Sequence, residues 1–159
     1  MGGFTLGQPL GYGLTEQSTL DGVAPIAGAS FSLQFKSYDR HRLVGIVFQL
    51  DTDANAANRY VTVEYLIGGA NSMMADAAGL VVTASTVAQR FVGQLGRSVG
   101  EWAAGTDIFF PLSGLWLETG LVVKINVANI QAGDTLTNIR LTFDRFLAAS
   151  QTPPDESID

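Results

Sequence analysis

The stretch Leu43–Ile67, LVGIVFQLDTDANAANRYVTVEYLI, decides the fold. Leu43–Leu50 is a β-branched and aromatic run. Tyr60–Ile67 alternates, with Val61, Val63 and Tyr65 on one face and Thr62 and Glu64 on the other, the period of two that marks a half-buried strand. Between them stands DTDANAANR, Asp51 to Arg59, whose opening D-x-D-x-N is that of a calcium loop. In such a loop the sixth position takes glycine for the sharp turn and the twelfth a bidentate glutamate. Here those positions hold Ala56 and Thr62, and Glu64 comes two places late, on the outer face of the next strand. The stretch therefore reads as strand, polar loop, strand. Asp and Asn suit such a loop because they tolerate left-handed backbone and hydrogen-bond their own main chain. Arg59, at the loop mouth, is predicted to pair with Asp51 across the hairpin, a partly exposed contact that contributes at most about 1 kcal/mol. A looser calcium site between β loops is the minor reading, and no metal or cofactor is predicted.

The same pattern continues outward. Phe31, Leu33 and Phe35 alternate with Ser32, Gln34 and Lys36. Further strands are predicted at Leu80–Ala84, Arg90–Leu95, Asp107–Leu112, Leu121–Val127 and Thr135–Leu147, where Ile139, Leu141 and Phe143 share a face. Glycine-marked turns at Gly68-Gly69, Gly79, Gly96, Gly105, Gly120 and Gly133-Asp134 separate them. Roughly eight short strands with short connections indicate an all-β antiparallel sandwich or barrel. A βαβ arrangement needs long amphipathic helices, and only Ala70–Ala78 and Thr86–Phe91 offer even short ones.

Residues 1–30 differ. They hold seven glycines, two prolines and two charges, and show no sustained periodicity. Phe4, Leu6, Leu10, Tyr12 and Leu14 are too apolar for a solvated linker, so the segment reads either as a loop-rich first part of the domain or as an extended arm that docks on a neighbouring subunit. Residues 31–148 form the sandwich domain. Residues 149–159, with two prolines and three acids, form an acidic tail.

Composition narrows the function. Apolar residues make up 47% of the chain and charged residues only 15%, against about a quarter in ordinary soluble domains. So few charges leave apolar surface for a partner to cover, which favours an oligomer or a component of an assembly. The formal charge of −6 falls to −3 without Asp155, Glu156 and Asp159, and no basic face is available for nucleic acid. There is no cysteine, which excludes disulfides and thiolate chemistry and fits folding in a reducing cytoplasm. Neither a signal peptide nor a bilayer-spanning run is present, so no membrane is predicted.

Candidate chemistry is sparse. His41 is the only histidine, so any catalytic triad has to use it. Arg40, His41 and Arg42 read as a solvated inter-strand loop, or as a cluster that contacts an anion or a partner's carboxylates. Trp102, Phe109, Phe110 and Trp116 read as packing residues, with a sugar-stacking platform as the alternative. Asp107, Glu118 and Asp134 lie beside turn residues, where acids are common, and no catalytic constellation emerges. The chain is read as a non-enzyme.

The run Leu43–Arg59, together with Asp107–Leu112, the β run after Gly120 and the turn Asn129-Ile-Gln-Ala-Gly-Asp134, resembles virion structural proteins of tailed bacteriophages. Its markers are a strand, a polar loop ending in N-R and a distal A-G-D turn. The resemblance covers roughly Phe31 to Leu147. It implies a jelly-roll-like β-sandwich of the capsid decoration (cement) type, often trimeric, which bridges subunits on the outer capsid surface. The implied partners are the major capsid protein or other virion proteins. A neck, tail or vertex component is the alternative within that family, and a carbohydrate-binding sandwich the alternative outside it.

Overall fold

The computed structural model describes residues 15–35, 40–68, 71–97, 103–104, 106–118 and 120–146. Within them the chain forms strands and no helix: β1 (Thr15–Asp21), β2 (Phe31–Gln34), β3 (Arg40–Asp51), β4 (Arg59–Ile67), β5 (Asn71–Val82), β6 (Gln89–Leu95), β7 (Ala103–Ala104), β8 (Asp107–Leu112), β9 (Trp116–Leu117), β10 (Leu121–Ala128) and β11 (Thr135–Phe146). The larger sheet runs β1-β11-β3-β6-β8-β7, with β9 paired to β3 off that row, and the smaller runs β2-β10-β4-β5.

Strands β7, β8 and β9 are inserted between β6 and β10. The remaining eight pair from the outside in: β1 with β11, β2 with β10, β3 with β6 and β4 with β5, all antiparallel. Strand β11 also lies on β3, and β10 on β4. A long hairpin rolled up in this way is a jelly roll, so the all-β sandwich with jelly-roll order is present. The insertion widens the larger sheet, with β8 running parallel to β6 from Arg90↔Asp107 to Leu95↔Leu112.

Alternation builds the core. Leu43, Ile46, Phe48 and Leu50 of β3 and Leu136, Ile139, Leu141 and Phe143 of β11 face Val61, Val63 and Tyr65 of β4 and Val123, Ile125 and Val127 of β10. Phe48 and Phe91 stack across β3 and β6 with ring centroids 5.0 Å apart. Gly93 lies where a Cβ would meet Ile46 at 2.6 Å and Phe110 at 2.7 Å, so only glycine lets β6 pack here.

Four local expectations change. Asn71–Ala78 belongs to strand β5, not a helix: Ala and Met favour helices, but pairing with β4 along the strand overrides that weak preference. Thr86–Ala88 is connecting chain and Gln89–Phe91 are the first residues of β6, so no helix forms there. Thr15–Asp21 is a strand at the edge of the larger sheet. It shows no alternation because Glu16 to Asp21 are all exposed. Arg40–Arg42 opens strand β3 and is not a loop. Residues 1–14 and 147–159, which hold Phe4, Leu6, Leu10, Tyr12, Leu14 and the acidic tail, lie outside the described residues.

Candidate functional site

Jelly-roll order brings four sheet-crossing connections to one end of the sandwich: 22–30, 52–58, 83–88 and 129–134. Hydrogen bonds tie these loops to one another. Thr52 donates its amide to Thr86 O and its hydroxyl to Thr83 O, and Ser85 N donates to Asp53 O. Gly28 N donates to Asp134 O, and Asn129 Nδ2 to Asn58 O. Ser85 and Ala88 hold left-handed backbone at φ 57° and 56°, a conformation that costs non-glycine residues energy. Ala88 N donates to Asp51 Oδ1, which fixes that turn.

Arg59 sits at the centre of this end with a side chain that is 0% exposed. Its Nε donates to Asp134 Oδ2 at 2.9 Å and its Nη2 to Asp134 Oδ1 at 2.8 Å, a two-pronged ion pair with a carboxylate that is also 0% exposed. Nη2 reaches Asp53 Oδ1 at 2.7 Å, and Nη1 donates to Asn55 O at 2.9 Å and Ala57 O at 2.6 Å. A guanidinium carries five N–H donors in a fixed fork, and here all five have acceptors. The carboxylates are satisfied in turn. Asp134 accepts from Asp53 N and Gln131 N, and Asp53 accepts from Asn55 N, Asn55 Nδ2 and Gly133 N. Gly133 is needed because a Cβ there would meet Asp53 Cβ at 2.8 Å.

Arg59 therefore does not pair with Asp51, which instead accepts from Gln49 Nε2 and Ala88 N. Tight packing of loop 129–134 over the loop mouth turns a predicted surface contact into a buried one. The guanidinium also lies between Asp53 and Asp134 and meets the loop carbonyls, as a bound cation would. Among the described residues no group of three or more His, Cys, Asp or Glu side chains is placed to hold a metal ion. Burial opposes ionisation of both carboxylates. Hydrogen bonds outweigh it, from Asn55 and Gly133 at Asp53 and from Arg59, Gln131 and the Asp53 amide at Asp134, so both pKa values lie below the ordinary carboxylate value.

This arrangement sets the surface chemistry of the loop end. Asp53 and Asp134 are the only charged residues in the four loops, and both are spent on Arg59. What faces outward is largely uncharged and mixed: Val23 is 86% exposed, Ile26 83% and Val87 80%, beside the exposed Asn55, Asn58, Thr83, Ser85 and Asn129. The loop that carries Val23 and Ile26 is held by the Gly28–Asp134 bond and by Ala29 N donating to Ile26 O.

The predicted site residues at the opposite end make separate contacts within the chain. Arg40 and Arg42 alternate with His41 along β3. Arg40 is paired with Glu118 at 2.8 Å. Arg42 is paired with Asp144 at 2.8 Å and lies 4.8 Å from the Trp116 ring centroid. His41 stacks on Phe35 at 4.9 Å and meets the edge of Phe143. Trp116 also packs edge-on against Phe146, and Phe110 is buried, while Arg97 covers Phe109. Trp102 lies outside the described residues. The acids Asp107, Glu118 and Asp134 each serve a different arginine: Arg90, Arg40 and Arg59.

Sequence reasoning treated Arg59 and Asp134 separately because 75 positions part them. They belong, however, to the two markers of the family resemblance, the loop ending in N-R and the A-G-D turn, which meet in space through this ion pair.

No protein-family model matches the chain, and no curated protein does. Among solved structures, that of the infectious bursal disease virus Gx strain is similar over 88% of this chain and 38% of that one, at 9% identity and a TM-score of 0.32. The chain spans well under half the length of that neighbour.

Proposed function

We propose that the protein is a non-enzymatic virion structural protein of a tailed bacteriophage that decorates the outer capsid surface and stabilises it by bridging neighbouring subunits. The observation that carries this reading is the loop end built around the Arg59 cluster, whose carboxylates are neutralised internally and whose exposed face carries Val23, Ile26 and Val87. An exposed Val23, Ile26 and Val87 on a preorganised base form a docking surface, because little ordering entropy remains to be lost on contact. Each copy gains about 25 cal/mol per Å² of apolar area removed from water, and repetition over a symmetric shell multiplies that gain through avidity. The few charges of the chain, the resemblance carried by the N-R and A-G-D markers and the jelly-roll order support the same reading. Arm residues Phe4 to Leu14 and the run Arg40, His41 and Arg42 are further contact candidates within it, the run towards acidic capsid surface.

Quantitative mass spectrometry of purified particles tests the assignment. Copy numbers on the order of hundreds fit shell decoration, given the many equivalent sites of a symmetric shell. A few to a dozen copies place the protein at a vertex, neck or tail, and absence from particles overturns the virion reading. The double variant Val23→Asp, Ile26→Asp is expected to keep its melting temperature and to lose incorporation into particles. Incorporation at the wild-type level removes the loop end from the contact.

A further inference from the structure

We propose that the segment Phe4–Leu14 of one copy lies as an added strand in the apolar groove between β1 and β2 of a second copy, and so links copies head to tail. The groove runs along the side of the sandwich where β1 and β2 end their respective sheets. Leu20, Val23, Pro25, Phe31 and Leu33 line it, and it encloses about 460 Å³. Leu20 is the cross-strand partner of the core residue Leu141, so it faces inward as well. It is nonetheless 43% exposed. The reason is that β2 is the last strand of the smaller sheet, and among the described residues no strand lies beyond it to cover β1. The one charged residue of the groove, Asp21, is paired with Arg140 at 2.7 Å.

The occupant follows from its sequence. Residues 1–30 share no single period, but within them Phe4–Leu14 alternates. Phe4, Leu6, Leu10, Tyr12 and Leu14 stand on even positions, with Thr5, Gly7, Pro9, Gly11 and Gly13 between them. In extended form one face is large and apolar and the other nearly bare. The segment carries no charge, so its entry strips water from no ion. A strand of this kind binds a groove through alternate side chains and through a free main-chain edge beside it. Here that edge is β2, which is laddered to β10 alone among the described residues. Pro9 has no N–H and suits an outermost strand. The direction of the chain selects a second copy. Strand β1 starts at Thr15, opposite Phe146, and reaches the groove only at Leu20, so the chain before Thr15 leaves roughly 17 Å away and heads from the groove. Entry into the groove of the same copy needs a reversal between Gly11 and Thr15. The alternation instead runs unbroken to Leu14, in phase with the inward Ser18 and Leu20, as in a straight continuation of β1. Extended, Phe4–Leu14 spans roughly 36 Å, enough to cross to a neighbour. Arm and groove are different surfaces, so the contact builds rings or chains of copies.

Sedimentation of the full chain, over roughly 1 μM to 1 mM, is expected to show species larger than a monomer. Leu6→Asp, Leu10→Asp in one chain breaks the arm, and Leu20→Asp breaks the groove at an exposed position. Each protein is expected to lose at least tenfold in association with an unchanged circular dichroism spectrum. Mixed, the two should recover a one-to-one complex, because the intact arm of the Leu20→Asp protein enters the intact groove of the other. The chain has no cysteine, so Leu6→Cys, Leu10→Cys and Tyr12→Cys, each combined with Leu20→Cys, report which groove the arm enters. Oxidation is expected to join separate chains in at least one of them. A disulfide within one chain, which puts the arm in its own groove, overturns the proposal. So does a monomer throughout the range, association that neither set of aspartates weakens, or a mixture that stays monomeric. Val23 belongs to both the groove and the loop end, so the groove variant is placed at Leu20, apart from Ile26 and Val87. The proposal goes beyond the virion reading and does not rest on it. Particles without the protein leave the arm-in-groove result intact, and a monomer in solution leaves the docking of the loop end intact.

Discussion

Arg40 and Arg59 open consecutive strands, β3 and β4, and do opposite work. Arg40 reaches across the surface to Glu118, with 60% of its side chain exposed. Arg59 is fully enclosed and joins loop 52–58 to loop 129–134 through two carboxylates and two carbonyls. What separates them is the surface packed over each, which residue type and position along a strand do not reveal. A charge under a second loop has lost its water, so every donor must find an acceptor and each neighbour becomes necessary.

The largest expected effect breaks the buried side of this comparison. Arg59→Met leaves Asp134 charged and without its partner, and the melting temperature at neutral pH is expected to fall on the order of 10 °C. Differential scanning calorimetry measures this, and a fall of under about 2 °C would mean that the cluster holds nothing together.

Acid sharpens the comparison through the sign of the response. Asp53 and Asp134 have folded pKa values below their unfolded ones. Their contribution is therefore complete above the ordinary carboxylate pKa of about 3.9 and is lost only as pH falls through the lower folded values. Wild-type stability from this cluster should be flat from neutral pH down to that value. In Arg59→Met, burial without the guanidinium raises the Asp134 pKa. The folded state then binds the extra proton, and the variant should recover part of its deficit as pH falls from neutral. Thermal melts of both proteins across that range check the opposite slopes.

Two smaller effects probe the exposed side. Arg42→Ala removes the Asp144 pair and the stacking on Trp116 from a side chain that is 31% exposed, and about 3 °C is the expected loss. Arg40→Ala should change the melting temperature by no more than about 1–2 °C, because exposed pairs contribute little. An Arg40 effect as large as that of Arg59 would erase the distinction.

Most of the sandwich was legible in the sequence where one face of a strand is buried and the other wet. Strands β3, β4, β10 and β11 announce themselves through Ile46, Phe48, Val61, Val63, Val123, Ile125, Leu141 and Phe143. Strand β1 did not, because an edge strand exposed from Glu16 to Asp21 needs no alternation. Strand β5 read as helical because Met73, Met74, Ala75 and Ala77 are good helix formers, and only its ladder with β4 makes it extended. The Arg59 cluster was half legible. Asp53, Asn55 and Arg59 were read as a loop with a cation at its mouth, but the second wall of the site, Asp134, comes from a turn that only the rolled-up topology brings near. The apolar Val23 and Ile26 lie inside the segment expected to be an arm, and no periodicity there shows that their loop is fastened to the sandwich through Gly22 and Gly28.

The guanidinium of Arg59 stands where a calcium loop would keep its ion, with one difference of consequence. This cation is tethered to the chain, so dilution cannot deplete it and a chelator cannot extract it. A particle that carried this protein would hold the loop end in shape in a metal-poor medium as firmly as in a metal-rich one.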